Sequence, residues 1–403
     1  MIKIGVIFGG ESVEHEVSII SAVQAMYKID TSKYEVIPIY ITKKGEWYTG
    51  EILKELETYK DMSLLKRYTK NVVLTTKDNL FVLQNKKGFK GVVKELDIVF
   101  PIVHGNNVED GALQGYLRTI GIPFVGSDVT PSGVAQDKVF QRVIWKSEGI
   151  PAPKHVWFYD TDYTTDVDSV MEKIEELKYP MIVKPATLGS SIGIGTAKDK
   201  DELIEKIDEA IRYDKKIIVE EMVQNLNEVN ISVLGNSTSV SLSELERVLT
   251  ENELLTYEDK YIGGGQKLGV KGGSASKGMV STDRIIPADI SDKLKEEIKD
   301  YAIRAFKALG MSGVARIDFL IDSKKNKVYI NEINACPGSL AFYLWSPVGK
   351  DYTELLDDMI NVAIKDYKVR TAKIHSFDSN ILQNFNGVKG SKGKLGKFGG
   401  KLR

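Results

Sequence analysis

Apolar residues in the first third of the chain form short runs that alternate with stretches of helical spacing. Residues 2–8 are an apolar run that ends at Gly9-Gly10, and residues 14–29 repeat apolar side chains every three or four positions. This order predicts a strand, a turn and a helix. The run at 97–103 is nearly all apolar, which is typical of a parallel strand covered on both faces. We therefore predict a doubly wound parallel sheet. The other elements predicted here are a strand at 34–41 and helices at 111–120 and 130–148.

Beyond Pro151 and Pro153 the pattern changes to the short strands and amphipathic helices of an α+β fold. The segment 249–283 is rich in glycine and lacks periodicity. It is too long for an ordinary connection, so it is either a functional flap, which we favour, or disordered. Apolar runs at 314–321 and 327–333 are separated by a short turn and predict a hairpin. The remaining predictions are strands at 181–184, 216–221 and 228–234 and helices at 168–177, 200–213, 290–309 and 351–366.

These changes place a boundary near Pro151 and Pro153 and leave a tail at 373–403. Residues 387–403 hold six Lys or Arg, six Gly and no acidic residue, so this segment cannot bury enough apolar surface to order itself. It is either a solvated tail or a basic arm that touches a membrane, a nucleic acid or the protein's own acidic cleft.

Composition and charge narrow the class of partner. The 403 residues include 55 Lys or Arg against 56 Asp or Glu, so the chain as a whole lacks the basic footprint of a protein that binds nucleic acid or an anionic membrane. No apolar run approaches the roughly 18 residues of a membrane span. The single cysteine, Cys336, and four histidines without zinc spacing exclude an internal disulfide and fit the reducing cytoplasm.

A loop rich in glycine and serine follows the predicted strand that ends at Lys184. The segment Lys184-Pro-Ala-Thr-Leu-Gly-Ser-Ser-Ile-Gly-Ile-Gly195 could wrap phosphates with backbone N–H groups, and Lys184 would add a point charge. It lacks the GK[ST] ending of a P-loop, and its glycines precede a strand instead of opening a helix. Spacing alone leaves a phosphate cradle and a tight hairpin as alternatives.

Polar side chains alternate along both strands of the predicted C-terminal hairpin. Arg316 and Asp318 share one face of the first strand, and Glu332 and Asn334 share one face of the second. Carboxylate and amide oxygens suit Mg²⁺, which keeps waters and shares its shell with phosphates. The alternative is a polar strand face that points to solvent.

Two turns could bind an anion. The turn 336–339 (Cys-Pro-Gly-Ser) follows the hairpin directly and could aim backbone N–H groups at a developing oxyanion. The segment 9–18 (GGESVEHEVS) joins a glycine turn to a helix start, and a helix N-terminus favours an anion. Acidic residues there could equally complement the helix dipole without binding anything.

Taken together and in this order, the motifs resemble those of the D-alanine:D-alanine ligases of the ATP-grasp superfamily. The opening motif GG.S.E.EVS stands at 9–18, and the HG...EDG..QG motif runs from His104 through Glu109 and Asp110. The later motifs are Asp137-Lys138, the KP...GSS.G loop at 184–193, Tyr257-Glu-Asp-Lys260-Tyr261, Arg316-Ile-Asp318-Phe319, and Glu332 to Gly338.

The resemblance implies an ATP-grasp fold, with a Rossmann-like N-terminal domain at 1–135, a central lobe at 136–226 and a C-terminal lobe at 227–372. It implies that a D-alanine carboxylate attacks the γ-phosphate of ATP to give an acyl phosphate. The amine of a second D-amino acid then displaces phosphate, which forms the peptide bond of a peptidoglycan precursor. It further implies two Mg²⁺ ions, with Mn²⁺ as a substitute, and a cytoplasmic homodimer.

The resemblance also implies roles for single residues around the substrates. Glu14 would pair with the ammonium of the first substrate, and Ser190 with Tyr261 would link that glutamate to the flap. Arg316 and the N–H of Gly338 would stabilise the tetrahedral intermediate.

The remaining implied roles concern metal and nucleotide. The metal ligands would be Asp318, Glu332 and Asn334. The groups on the phosphates would be Lys138, Lys184 and Lys260. The groups at the adenine and ribose would be Glu220, Glu221, Val223 and Glu228.

Departures from the family pattern leave the acceptor open. Val108 stands where the family has glycine, and Tyr343 stands where it has a serine that receives the second substrate's carboxylate. The acceptor could be D-alanine, D-serine or another amine, and Tyr261 favours an amine over a hydroxy acid. Another alternative is a non-catalytic nucleotide-binding sensor, although binding alone needs no Arg316. A nicotinamide dehydrogenase would need a glycine fingerprint that the first turn lacks.

Overall fold

The computed structural model describes residues 1–88, 91–249 and 284–376. Its first sheet contains β1 (Ile2–Gly9), β2 (Tyr34–Ile41), β3 (Trp47–Thr49), β4 (Lys70–Lys77), β5 (Leu80–Asn85), β6 (Val92–Leu96) and β7 (Ile98–Pro101). Their order is β6-β5-β4-β3-β2-β1-β7. Strand β1 pairs in parallel with β2 and β7, and the other neighbours pair antiparallel.

The parallel centre of this sheet confirms the predicted N-terminal architecture, but the antiparallel strands β3 to β6 extend it beyond the prediction. These strands carry exposed or half-buried residues at many positions. Their apolar runs are therefore interrupted, which removes the signal that marks β1 and β7. The helices of this region are α1 (His15–Met26), α2 (Met62–Tyr68) and α3 (Ala112–Ile120), with short 3-10 turns at Glu51–Lys54 and Leu56–Tyr59.

The single helix predicted at 130–148 is wrong, because the structure has two helices, α4 (Val129–Gln136) and α5 (Lys138–Ser147). They meet at Asp137, whose carboxylate accepts hydrogen bonds from the first backbone N–H groups of α5. A capping aspartate begins a new helix. Ala135 of α4 and Trp145 of α5 belong to one core, so the apolar spacing continues across the break.

Two antiparallel sheets complete the fold. The second contains β8 (His155–Tyr159), β9 (Met181–Pro185), β10 (Gly195–Ala197) and β11 (Lys216–Glu221), in the order β10-β9-β11-β8. The third contains β12 (Leu226–Gly235), β13 (Val240–Val248), β14 (Arg284–Ile285), β15 (Gly313–Asp322) and β16 (Lys327–Asn334), in the order β14-β13-β12-β15-β16. The neighbours β15 and β16 confirm the predicted hairpin.

Helices cover these sheets. They are α6 (Asp160–Thr165), α7 (Val167–Ile174), α8 (Lys200–Ala210), α9 (Asp292–Leu309) and α10 (Tyr352–Thr371), with 3-10 turns at Gly338–Leu344 and Ser346–Val348. None of the helices in the described ranges is both long and apolar enough to cross a bilayer.

The core of the first sheet is completed by the C-terminal helix. Ile4, Phe8 and Phe100 of the sheet pack in one cluster with Leu356 and Met359 of α10. Polar contacts accompany this packing, since the Tyr34 hydroxyl donates to Asp357 at 2.6 Å. The two ends of the described chain therefore form one hydrophobic unit.

Candidate active site

A cavity lies where loops of the first sheet meet the second and third sheets. Its wall combines Glu14 and Glu109 from the first region, Lys184 from β9, and Asp318 and Asn334 from the third sheet. Every predicted site residue that the structure describes lines this cavity: Glu14, Lys138, Lys184, Ser190, Glu220, Glu221, Val223, Glu228, Arg316, Asp318, Glu332, Asn334 and Gly338. The other two predicted residues, Lys260 and Tyr261, lie outside the described residues, as does almost all of the predicted flap.

The glycine- and serine-rich loop joins β9 to β10 as a strand-loop-strand unit, with Gly195 opposite Val183. Ser190 and Ser191 have φ values of 54° and 59°, a left-handed conformation that costs energy outside glycine. The ammonium of Lys138 donates to the carbonyl of Leu188 in this loop at 2.7 Å. A buried lysine therefore holds one end of the loop at the cavity wall.

Lys184 belongs to a buried charge network. Its ammonium donates to Glu220 at 2.7 Å and to the side-chain oxygen of Asn331 at 3.2 Å. Arg142 donates to the other oxygen of Glu220 at 2.7 Å. Burial alone would raise the pKa of Glu220, but the two cations outweigh it and hold that pKa well below its usual range. The Glu220 carboxylate thus faces two cations of the protein.

The segment between β11 and β12 forms another edge of the cavity. Val223 lies in this segment, and Glu228 stands on β12 opposite Val248 of β13. The carboxylate of Glu221 accepts from the backbone N–H of Lys178 at 3.3 Å. Backbone groups and carboxylates are thus presented side by side at this edge.

The β15–β16 hairpin brings together four polar side chains. Asp318 lies opposite Glu332, and Arg316 lies opposite Asn334. The guanidinium of Arg316 makes two bonds of 2.7 Å to the Asp318 carboxylate, and the Asn334 amide lies 3.3 Å from it. The ammonium of Lys138 lies 3.2 Å from Glu332. These groups face the cavity and not open solvent.

The donor set of this hairpin fits a hard divalent cation. Asp318, Glu332 and Asn334 offer two carboxylates and an amide oxygen, which are the ligand types that Mg²⁺ accepts alongside phosphate oxygens. Among the described residues, no group of three or more His, Cys, Asp or Glu side chains could hold a metal ion. A cation here would therefore depend on the amide and on oxygens of a bound substrate.

Glu14 lies at the start of α1, close to the glycine- and serine-rich loop. The hydroxyl of Ser190 donates to its carboxylate, and its own backbone N–H donates to the hydroxyl of Ser12 at 3.1 Å. A methyl group at Gly189 would lie 2.8 Å from a carboxylate oxygen of Glu14, and one at Gly105 would lie 3.0 Å from it. Two glycines thus leave the space that this carboxylate occupies.

Glu109 is a site residue to which the sequence alone gives no role. Its carboxylate accepts from the backbone N–H of Gly105 at 2.9 Å and of Cys336 at 3.1 Å, which ties the first region to the turn after the hairpin. Burial, together with repulsion from Glu14, raises the pKa of Glu109 to about 8. The HG...EDG motif was the available signal, but spacing could not show that its acid reaches the 336–339 turn.

The turn after the hairpin has an unusual backbone. Ser339, Leu340 and Ala341 have φ values of 50°, 54° and 49°, three consecutive left-handed residues that each cost about 1–2 kcal/mol. The N–H of Ser339 donates to the hydroxyl of Ser21 on α1 at 2.9 Å. Residues held in such conformations cluster at functional sites, and this turn places Gly338 on the cavity wall.

Family models match most of the chain. The model described as D-ala D-ala ligase N-terminus matches residues 3–127, and the model described as D-ala D-ala ligase C-terminus matches residues 144–361. The curated D-alanine–D-alanine ligase of Thermosipho melanesiensis is 40% identical over 387 residues, which cover 95% of this chain and 99% of that protein. The ligase of Acetivibrio thermocellus is 39% identical over 380 residues, with coverage of 91% and 96%.

Solved structures show the same architecture. The VanG D-Ala:D-Ser ligase from Enterococcus faecalis is 30% identical, with a TM-score of 0.74 and coverage of 90% of this chain and 99% of that one. The D-alanine-D-alanine ligase from Coxiella burnetii is 27% identical, with a TM-score of 0.77 and coverage of 92% and 96%. The chain therefore belongs to the D-alanine–D-alanine ligase family of ATP-grasp enzymes.

Proposed function

We propose that this chain is an ATP-dependent carboxylate–amine ligase that joins D-alanine to D-alanine for peptidoglycan precursor synthesis. The observation that carries the proposal is the β15–β16 pairing, which sets Asp318 opposite Glu332 and Arg316 opposite Asn334 in the cavity. Lys138, the first residue of α5, contacts both Glu332 of this hairpin and the glycine- and serine-rich loop. Acidic, amide and cationic groups thus converge as phosphoryl transfer requires.

In the first step, a carboxylate oxygen of D-alanine attacks the γ-phosphorus of ATP, the bond to the bridging oxygen breaks, and ADP leaves. Lys138 and Lys184 stabilise the charge on the phosphate oxygens, and Lys260 joins them from the flap. Glu220, Glu221, Val223 and Glu228 bind the adenine and ribose, and Glu220 also positions Lys184. The carboxylate of Glu14, held by Ser190, binds the ammonium of this first D-alanine.

In the second step, the amine of the other D-alanine loses a proton and attacks the acyl carbon, and inorganic phosphate leaves with the electron pair of the broken C–O bond. Arg316 and the N–H of Gly338 stabilise the oxyanion of the tetrahedral intermediate, an effect often worth about 3–4 kcal/mol per donor. Tyr261 and Ser190 together link Glu14 to the flap. No side chain serves as a covalent nucleophile.

Two Mg²⁺ ions, or Mn²⁺ ions, would be held by Asp318, Glu332 and Asn334. Such ions neutralise the charge that builds up on the terminal phosphates during transfer. We further propose that the enzyme works in the cytoplasm as a homodimer, with the lobe boundaries at 135 and 226. A molar mass of about twice 44.9 kDa in light scattering would support the dimer.

The test is turnover with D-alanine and ATP in the presence of Mg²⁺. One ADP, one phosphate and one D-alanyl-D-alanine should form per cycle. Asp318→Ala and Glu332→Ala should each lower kcat by at least about 100-fold, because the phosphate charge would lose its partners. Asp300→Ala, which removes an exposed carboxylate on α9, is the matched control and should leave turnover unchanged.

Three results would contradict the proposal. Normal turnover of Asp318→Ala would show that the β15–β16 hairpin does not take part in phosphoryl transfer. ADP release with mixed D-amino acids, but none with D-alanine alone, would favour D-serine or another acceptor, an alternative that the similarity to a D-Ala:D-Ser ligase keeps worth testing. Nucleotide binding without any ADP release would favour the non-catalytic sensor.

A further inference from the structure

A buried carboxylate that the proposed chemistry does not use stands at the end of the cavity near Tyr343. Glu246 of β13 is 1% exposed. It accepts from three donors at 3.0 Å each, namely the Asn230 amide, the Tyr343 hydroxyl and the Arg284 guanidinium. A buried charge persists only where such partners compensate for its lost hydration. Glu246 therefore fixes the positions of the groups around it.

Arg284 is the cation of this cluster. It stands on β14 opposite Val248, and its guanidinium carbon lies 4.2 Å from the centre of the Tyr343 ring. An arginine stacked on an aromatic face and bonded to a carboxylate is held on two sides. Burial and the neighbouring Glu246 raise the pKa of Tyr343, so its hydroxyl stays protonated and keeps donating to that carboxylate.

The other cations of the cavity wall are engaged elsewhere in the proposed reaction. Lys138 and Lys184 lie beside the glycine- and serine-rich loop and Glu220. Arg316, which makes two hydrogen bonds to Asp318, stabilises the oxyanion of the tetrahedral intermediate in that reaction. Arg284 is on the opposite strand edge of the third sheet from that hairpin, yet it lines the same cavity as Gly338.

The second amino acid of the proposed reaction has a requirement that this cluster meets. Its amine must point at the acyl carbon, so its α-carboxylate must be held away from the negatively charged phosphates. A guanidinium has five N–H donors, more than one carboxylate uses, so a bond to Glu246 is compatible with a second carboxylate. We propose that Arg284, positioned by Glu246 and Tyr343, binds the α-carboxylate of the acceptor amino acid, an inference that rests on the proposed function.

The test compares two acceptors that differ only at this carboxylate. D-Alaninamide has no free carboxylate to phosphorylate, so it can act only as the acceptor, with D-alanine as donor. Arg284→Gln should lower kcat/KM for D-alanine as acceptor by about 10- to 100-fold, the size of a lost charge-assisted contact. It should change kcat/KM for D-alaninamide less than about threefold. The ratio of kcat/KM between variant and wild type is taken for each acceptor separately, so the different basicities of the two amines do not affect it.

Controls separate this contact from a general defect. Arg284→Lys keeps the positive charge but loses the paired N–H donors of the guanidinium, so its loss of kcat/KM with D-alanine should be smaller than that of Arg284→Gln. The lysine variant also allows the comparison if the glutamine variant fails to fold. Arg304 lies on α9 and pairs with Asp300. Arg304→Gln should leave kcat/KM unchanged for both acceptors. The KM for ATP should be unchanged in all three variants.

An equal loss with both acceptors, or no loss with either, would overturn the assignment of Arg284. A wild-type protein that forms no ADP from D-alanine and ATP would instead overturn the proposed function itself. The two failures are thus distinguished by the wild-type reaction, which is measured first.

Discussion

At the scale of single residues, the position of the Glu14 carboxylate depends on the absence of side chains around it. Gly189→Ala would place a methyl group 2.8 Å from a carboxylate oxygen of Glu14, closer than van der Waals contact allows. We expect the carboxylate to move by part of an ångström. Because displaced groups lose much of their catalytic effect, the kcat/KM for donor D-alanine should fall by about 10- to 100-fold, measured as ADP release.

The matched control is Gly115→Ala, since a methyl group at Gly115 on α3 meets no atom within 4 Å. Alanine is favoured over glycine inside a helix by about 1 kcal/mol, so this variant should be at least as stable as the wild type and equally active. A Gly189→Ala enzyme with normal kinetics would show that Glu14 does not contact the first substrate.

Glu109 predicts a pH dependence of stability without ligand. Its pKa, raised to about 8 from 4.5, means that the folded protein binds a proton that the unfolded chain has lost. Stability should therefore fall as the pH rises from 4.5 to about 8 and then level off. Glu109→Gln resembles the protonated form at every pH, so its Tm should exceed that of the wild type already at pH 6, and the difference should grow by about 2–4 °C between pH 6 and pH 8.5.

Asp110→Asn is the control for this measurement, because Asp110 is the adjacent acid and its carboxylate accepts from the N–H groups of Asn107 and Ala112. Its Tm should differ from that of the wild type by the same amount at both pH values. If the Glu109→Gln difference is also independent of pH, Glu109 is ionised throughout this range.

The sequence predicted the positions of single residues correctly where those residues lie on two strands that follow each other in the chain and pair directly. Alternation alone placed Arg316 and Asp318 on one face opposite Glu332 and Asn334, as the register shows. Glu246 and Arg284 gave no such signal, because their neighbouring strands β13 and β14 are joined by a long segment of chain. Contacts of this kind depend on tertiary packing and not on local spacing.

At the scale of elements, the start of α5 combines a helix cap with a buried ion pair. Asp137 accepts from the N–H groups of Val139 and Phe140 and pairs with the ammonium of Lys216, both side chains being less than 10% exposed. Asp137→Ala would remove the cap and leave a buried cation without its partner. We expect a loss of about 3–5 kcal/mol in the free energy of unfolding, measured by urea denaturation.

Asp199→Ala is the matched control, since Asp199 caps the N-terminus of α8 without a buried partner of this kind. Its cost should be about 1 kcal/mol. Equal costs for the two variants would show that the pair with Lys216 contributes no net stability.

Sequence patterns predicted elements where apolar runs were continuous or strongly periodic. The strand at 34–41 and the strand at 216–221 have the predicted bounds. The antiparallel strands β3 to β6, and strands β8 and β13, escaped prediction because each exposes residues on one face and is short or interrupted. The break at Asp137 was hidden because both helices contribute to one core.

At the scale of the whole molecule, the hydrophobic clusters differ in how far apart in the sequence their residues lie. The cluster of the second sheet is built entirely from residues between Phe158 and Val219. The cluster of the first sheet requires Leu355, Leu356 and Met359 of α10. Continuity along the chain thus characterises the cluster of the second sheet and not that of the first.

This difference predicts the behaviour of fragments. A fragment of residues 151–225 retains its complete cluster and should unfold cooperatively on heating, as followed by circular dichroism. A fragment of residues 1–135 would expose the apolar face that α10 covers, and we expect it to aggregate or to bind hydrophobic dyes without a cooperative transition. Cooperative unfolding of the 1–135 fragment would show that α10 is dispensable for its core.

The dependence of the first sheet on α10 has a consequence during synthesis on the ribosome. Strand β1 and helix α10 are separated by more than 300 residues of chain, which take about 15–60 s to translate at 5–20 residues per second. Until α10 is made, the cluster that contains Ile4, Phe8 and Phe100 lacks the side chains that this helix contributes. The first sheet to emerge is then among the last to be completed, and a chaperone that shields its open face would raise the yield of native enzyme.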